Sequence, residues 1–164
     1  HVNLSVTCDL TLNLIEAMSR GELDLALIKR EPMGPDIGTP VWREELVWVA
    51  ADRSLLQGVG KLPLIAAPAP CVYRKRAITA LEKSGRPWRM AYTSPSLAGQ
   101  HAALRAGLGV TVLPREMAPD DLIVLEDALP PLADAEIALM RAKSLSVAAE
   151  RLADFILSAL EQAN

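Results

Sequence analysis

A chain of 164 residues with 51% apolar and 23% charged content is long enough to bury a core, in one body or in two lobes. Its net charge of −3 and isoelectric point near 5.4 speak against a piece that grips a polyanion, because nucleic-acid modules carry a basic face. No apolar run approaches the ~20 residues of a membrane helix, and no signal-peptide pattern opens the chain.

Val2, Leu4 and Val6 alternate in "HVNLSVT" and predict a strand. Asp9 is the expected N-cap of a helix, "TLNLIEAMSRG", with Leu14, Ile15 and Met18 on one face, Arg20 in the last turn and Gly21 at the C-cap. "LDLALI" is continuously apolar, the pattern of a strand covered on both faces. Strand, helix and strand in succession predict a parallel sheet. Residues 31–40, "EPMGPDIGTP", form a loop rich in proline and glycine.

The strands "EELVWVAAD" and "LPLIAA" follow, then a turn at "PAPC". "YRKRAITALEKSG" is a helix with Ala77, Ile78 and Leu81 inward and Gly85 at its end, and "WRMAYT" is a strand. In "SPSLAGQHAALRAGLGVTVLP", Ser94 reads as an N-cap with Pro95 at the first helical position. Gly107 then supplies a left-handed C-cap, and Gly109 lets the chain pass close to the sheet before the strand "VTVL". Two more strands, "LIVLED" and "EIALMRA", flank "ALPPLAD". The last segment, "SVAAERLADFILSALEQAN", is an amphipathic helix with Ala148, Leu152, Phe155, Ile156 and Leu160 on one stripe.

Four pieces in this order, "GELDLALI", "EELVWVAAD", "AGLGVTVLP" and "SVAAERLADFI", resemble the effector-binding domain of LysR-type transcriptional regulators across almost the whole chain. "PCVYRKRAITALEKSGRPWRMAYTSPSLAGQ" looks most like an LrhA-like branch of that family. The resemblance implies an α/β fold of two Rossmann-like lobes joined by two crossover strands, similar to type 2 periplasmic binding proteins. Residues 1–43 plus 143–164 would form lobe I and residues 44–142 lobe II. It implies a cytoplasmic regulator without catalytic turnover, a small-molecule effector held between the lobes, and a homo-oligomer, dimer or tetramer. DNA would be contacted only through a winged helix-turn-helix that this sequence lacks. Lobe I also lacks the family's first strand and helix. The opening His1 in place of Met supports reading the sequence as a piece of a longer protein.

In open α/β sheets, ligands gather beyond the carboxyl ends of the strands. The segments expected there are residues 7–11, 29–30, 68–73 and 93–96. Three of them precede helices, whose amides and dipoles favour an anionic ligand. The candidates are Thr11, Lys29, Cys71, Val72, Tyr73, Ser94 and Ser96. Thr11 and Lys29 rest on the resemblance, with capping and simple solvation as their alternatives. Ser94 is expected to cap its helix and Ser96 to face the crevice. Arg74, Lys75 and Arg76 are expected on the exposed face of a helix start. Cys8 and Cys71 are expected to be small buried residues, a thiol switch being the alternative. Trp42 and Trp48 read as core or hinge packing.

No Ser/His/Asp order, no metal-ligand spacing and no dinucleotide fingerprint is visible, so neither catalysis nor a cofactor is expected. A solute-binding protein or an enzyme on the same two-lobed fold is the competing reading. A regulator that only mediates oligomers, with its crevice filled, is a third.

Overall fold

The computed structural model describes residues 2–30, 36–58 and 60–161. The chain divides into two compact units, His1–Arg43 with Ala135–Asn164, and Glu44–Asp134.

In the first unit α1 (Thr11–Ser19) leads to β1 (Leu25–Arg30), and β2 is Thr39–Glu44. The chain returns as β8 (Ala135–Arg141) and α4 (Val147–Glu161). The sheet order is β1-β8-β2. Leu14, Ile15 and Met18 of α1 pack on Ala26, Ile28 and Ala138, as the helical spacing predicts. Gly21, at φ 71°, lets the chain turn back after Arg20.

Several expectations change in this unit. Residues 2–10 form no strand, and Val2, Leu4 and Val6 are 75%, 70% and 74% exposed. Alternation makes a strand only when a neighbour takes the backbone hydrogen bonds, and no described residue does so here. β1 is not in a parallel pair. It runs antiparallel to β8, from Leu25 opposite Arg141 to Arg30 opposite Glu136. Nor is it covered on both faces: α1 shields Ala26 and Ile28, while Leu27 is 44% exposed. In α4 the buried face centres on Ala153, and Phe155 lies about 200° round the helix from it, 69% exposed. The pairing of β8 with β1 also places residues 135–141 in the first unit, where the sequence reading carried the second lobe on to residue 142. Residues 31–35 of the expected loop lie outside the described residues; residues 39–40, its far end, already belong to β2.

The second unit holds β3 (Leu46–Ala50), β4 (Leu62–Ala66), α2 (Val72–Lys83) and β5 (Trp88–Thr93). It continues through α3 (Leu97–Arg105), β6 (Thr111–Pro114) and β7 (Ile123–Val124). The run from β4 to β6 is strand, helix, strand, helix, strand, as the periodicity predicts. β4 and β5 are parallel, and a parallel bridge from Leu64 to Val110 joins them to the β6-β3-β7 sheet. β3 and β4 are buried at every position. Val49, Ile65, Leu104 and Leu113 form the centre of the core. Gly107, at φ 70°, ends α3, and Gly109 passes against Pro63.

The basic start of α2 is not the exposed face expected of it. Arg76 is 9% exposed and donates through Nε and Nη2 to the Asp134 carbonyl at 3.4 and 3.3 Å. Arg74 is half-buried, and only Lys75 is exposed. A helix lying on a sheet has no all-round solvated turn, so the long stems of Arg74 and Arg76 are drawn under it.

Candidate functional site

A cavity of about 230 Å³ opens in the second unit. It lies where β4, β5 and β6 end and α2 and α3 begin. Its walls are mostly apolar, built by Ile65, Ala77, Leu97, Val112, Leu113 and Met117. Cys71, Tyr73, Arg74, Gln100 and Thr111 supply the polar atoms. The parallel strands deliver their carboxyl ends to this edge, which is why helix N-termini and loop side chains converge here.

Both hydroxyls among them are engaged by the protein. The Thr111 hydroxyl donates to the Ile65 carbonyl at 2.6 Å. The Tyr73 hydroxyl donates to Glu44 Oε2 at 2.8 Å. Burial, and then the Glu44 carboxylate, push the Tyr73 phenol far above its ordinary range. A raised value means that the folded chain holds the phenolic proton more tightly than the unfolded chain. The stability this contributes is complete at neutral pH and is lost as pH rises past the ordinary tyrosine value of about 10. We therefore expect less phenolate absorbance from the folded chain at pH about 11 than from the denatured chain. In Tyr73→Phe that difference shrinks, because the tyrosine held protonated is gone.

The serines exchange the roles expected of them. Ser96 is the N-cap of α3, its Oγ accepting from the Gly99 N–H at 3.3 Å. Ser94 is buried at 8% exposure and still donates its N–H to the Ala66 carbonyl at 3.2 Å. It therefore belongs to the end of the sheet. Its Oγ accepts from the Ser96 N–H at 3.2 Å, a turn that precedes the helix and leaves Pro95 outside it. Ser96→Ala should lower unfolding free energy by about 1 kcal/mol, read from urea denaturation, because the Gly99 amide loses its acceptor.

Cys71 and Tyr73 line the cavity, and Val72 opens α2 beside them without lining it. Cys71 is half-buried, while Cys8 is exposed and not the buried residue expected. Thr11 and Lys29 come together in the first unit, where the Lys29 N–H donates to Thr11 Oγ1 at 3.3 Å. Thr11 is thus the first residue of α1, with its hydroxyl tied to the end of β1. Asp9 does not cap α1: Leu10 holds that position, and Asp9 Oδ1 accepts from the Leu10 N–H and Asn13 Nδ2, each at 2.7 Å.

The sequence reading left out Arg74 and Gln100. Gln100 Nε2 donates to the Ser94 carbonyl at 2.9 Å and the residue is 8% exposed. Its signal was available, because Gln100 shares a helical face with Ala103 and Leu104, three and four residues on, and a polar residue on a buried stripe needs partners. Arg74 carried no such signal, since a charge in a basic run reads as solvated.

The model of the LysR substrate binding domain matches residues 1–161. The chain belongs to the LysR substrate binding domain family. The HTH-type transcriptional regulator DgdR of Burkholderia cepacia is 32% identical over 134 residues, 79% of this chain and 44% of DgdR. This LysR domain therefore spans less than half of that relative. The bromide-bound regulatory domain of HypT from Salmonella typhimurium superposes with a TM-score of 0.76 at 17% identity, over 94% of this chain and 80% of that one. The CcmR regulatory domain of Synechocystis PCC6803, in complex with 2-PG, gives 0.70 at 19%, over 92% and 80%. Both likenesses are of fold. They establish the α/β periplasmic-binding-protein-like fold for this LysR domain. Among its described residues no helix is long and apolar enough to cross a membrane.

Proposed function

We propose that the chain is the effector-sensing module of a cytoplasmic LysR-type regulator and that a small molecule seats in the cavity of the second unit. Ligand binding there shifts the arrangement of a homo-oligomer and, through it, a DNA-binding domain carried elsewhere in the full-length protein. A ligand moves such an equilibrium only by its difference in affinity for the two arrangements. The observation that supports this reading is the cavity itself, at the strand ends where open α/β sheets collect ligands, with Cys71 and Tyr73 of the predicted set on its wall. Thr11 and Lys29 are the candidates of the first unit, and Val72, Ser94 and Ser96 shape the helix entrances around the cavity.

The test is mass action. A ligand that binds the folded chain and not the unfolded one raises Tm in proportion to the logarithm of its concentration. The small-molecule fraction of a bacterial extract should raise the Tm of the chain, and a bulky substitution at the cavity wall, Leu97→Trp, should abolish the gain. A gain untouched by Leu97→Trp would move the site elsewhere.

A further inference from the structure

We infer that the cavity of the second unit selects a monocarboxylate with a compact apolar body and one hydrogen-bond donor. This deepens the proposed function and rests on that cavity being the ligand seat. Size comes first. A cavity of about 150 Å³ accommodates benzene, so one of about 230 Å³ takes a ring or branched chain with two small polar groups. Charge comes next. Arg74 is half-buried and donates Nη1 to the Ala67 carbonyl at 3.0 Å, and no carboxylate among the described residues pairs with it. A guanidinium held beside apolar walls without a counter-ion is stabilised by an anion that brings one, and its planar fork fits a carboxylate.

Gln100 supplies the second contact. It is 8% exposed, and its amide nitrogen is taken by the Ser94 carbonyl. Its Oε1 has no protein donor, so it is left to accept from an O–H or N–H on the ligand. The remaining hydroxyls cannot serve a second anionic group, because Thr111 is spent on Ile65 and Tyr73 on Glu44. A phosphate or a dicarboxylate would therefore find no further side-chain hydroxyl for its remaining oxygens, which would fall to the first amides of α2 and α3 alone.

Thermal shift and calorimetry on the full chain, with benzoate, 4-hydroxybenzoate, succinate and inorganic phosphate as probes, test this. Both aromatic acids should raise Tm saturably, the hydroxylated one more. Arg74→Gln should weaken both by about tenfold or more, as loss of a charge-assisted hydrogen bond does. Gln100→Leu should bring 4-hydroxybenzoate to the level of benzoate and leave benzoate unchanged. Arg74→Lys, which keeps the charge, serves should Arg74→Gln fail to fold, and it should retain weakened binding. Binding indifferent to both Arg74 variants overturns the inference. A gain from succinate or phosphate alone overturns the ligand class and leaves the site standing. So does a gain from the cell-extract fraction with none from the four probes. No gain from probes or extract overturns inference and site together.

Discussion

Trp48→Ala should lower unfolding free energy by about 3–5 kcal/mol, among the largest effects available to a single substitution in this chain. Trp48 is the central residue of β3, the middle strand of the β6-β3-β7 sheet, and is 3% exposed. It sits opposite Val112 of β6, and its carbonyl accepts the Leu125 N–H at 2.9 Å. Its indole N–H donates to the Pro130 carbonyl at 2.8 Å, tying the "ALPPLAD" segment to the sheet. Alanine removes the buried ring and leaves that carbonyl without its donor. Trp48→Phe separates the two effects. It keeps most of the packing and should cost about 1–2 kcal/mol, the share of the lost hydrogen bond. Chemical denaturation followed by circular dichroism reads both. A loss under 1 kcal/mol for Trp48→Ala would mean that the ring is not part of the core.

Gly109→Ala should cost about 3 kcal/mol, although it adds a single methyl. A Cβ at Gly109 would stand 2.6 Å from the Pro63 carbonyl oxygen and 3.0 Å from its carbon, and both are backbone atoms that cannot rotate away. The neighbouring bonds depend on this approach: the Val110 N–H donates to Pro63 at 2.9 Å, and the Ile65 N–H to Val110 at 2.8 Å. These hold the β4-β5 pair to the other sheet. Moving the loop to fit the methyl loosens both, and each is worth about 1 kcal/mol. Gly58, where a Cβ meets nothing within 4 Å, is the control. Gly58→Ala should change stability by no more than about 0.5 kcal/mol. Equal effects at the two positions would refute the close-approach argument.

Much of the candidate site was legible, but only as a region. The rule that ligands gather at strand ends led to Cys71 and Tyr73, and the cavity is there. It could not say which polar groups would be spent on the protein. The Tyr73 hydroxyl goes to Glu44, 29 residues earlier in the chain, and no local pattern encodes that pairing. Ser94 and Ser96 show the same limit at closer range. Both residues suit an N-cap, and the choice fell to Ser96 because β4 still claims the Ser94 amide through Ala66.

By itself the sequence determined the family and the order of elements from β4 to β6, together with the glycine turns at Gly21, Gly85 and Gly107. These are local matters, set by periodicity over a dozen residues and by which residues tolerate a positive φ. Only the tertiary structure decided that β1 pairs with β8 more than a hundred residues away, that Val2, Leu4 and Val6 have no strand to join, and that Arg76 is buried while Arg74 faces a cavity. Each depends on which surfaces meet, and a charge or an apolar residue acquires its role from the neighbour that satisfies it or leaves it open.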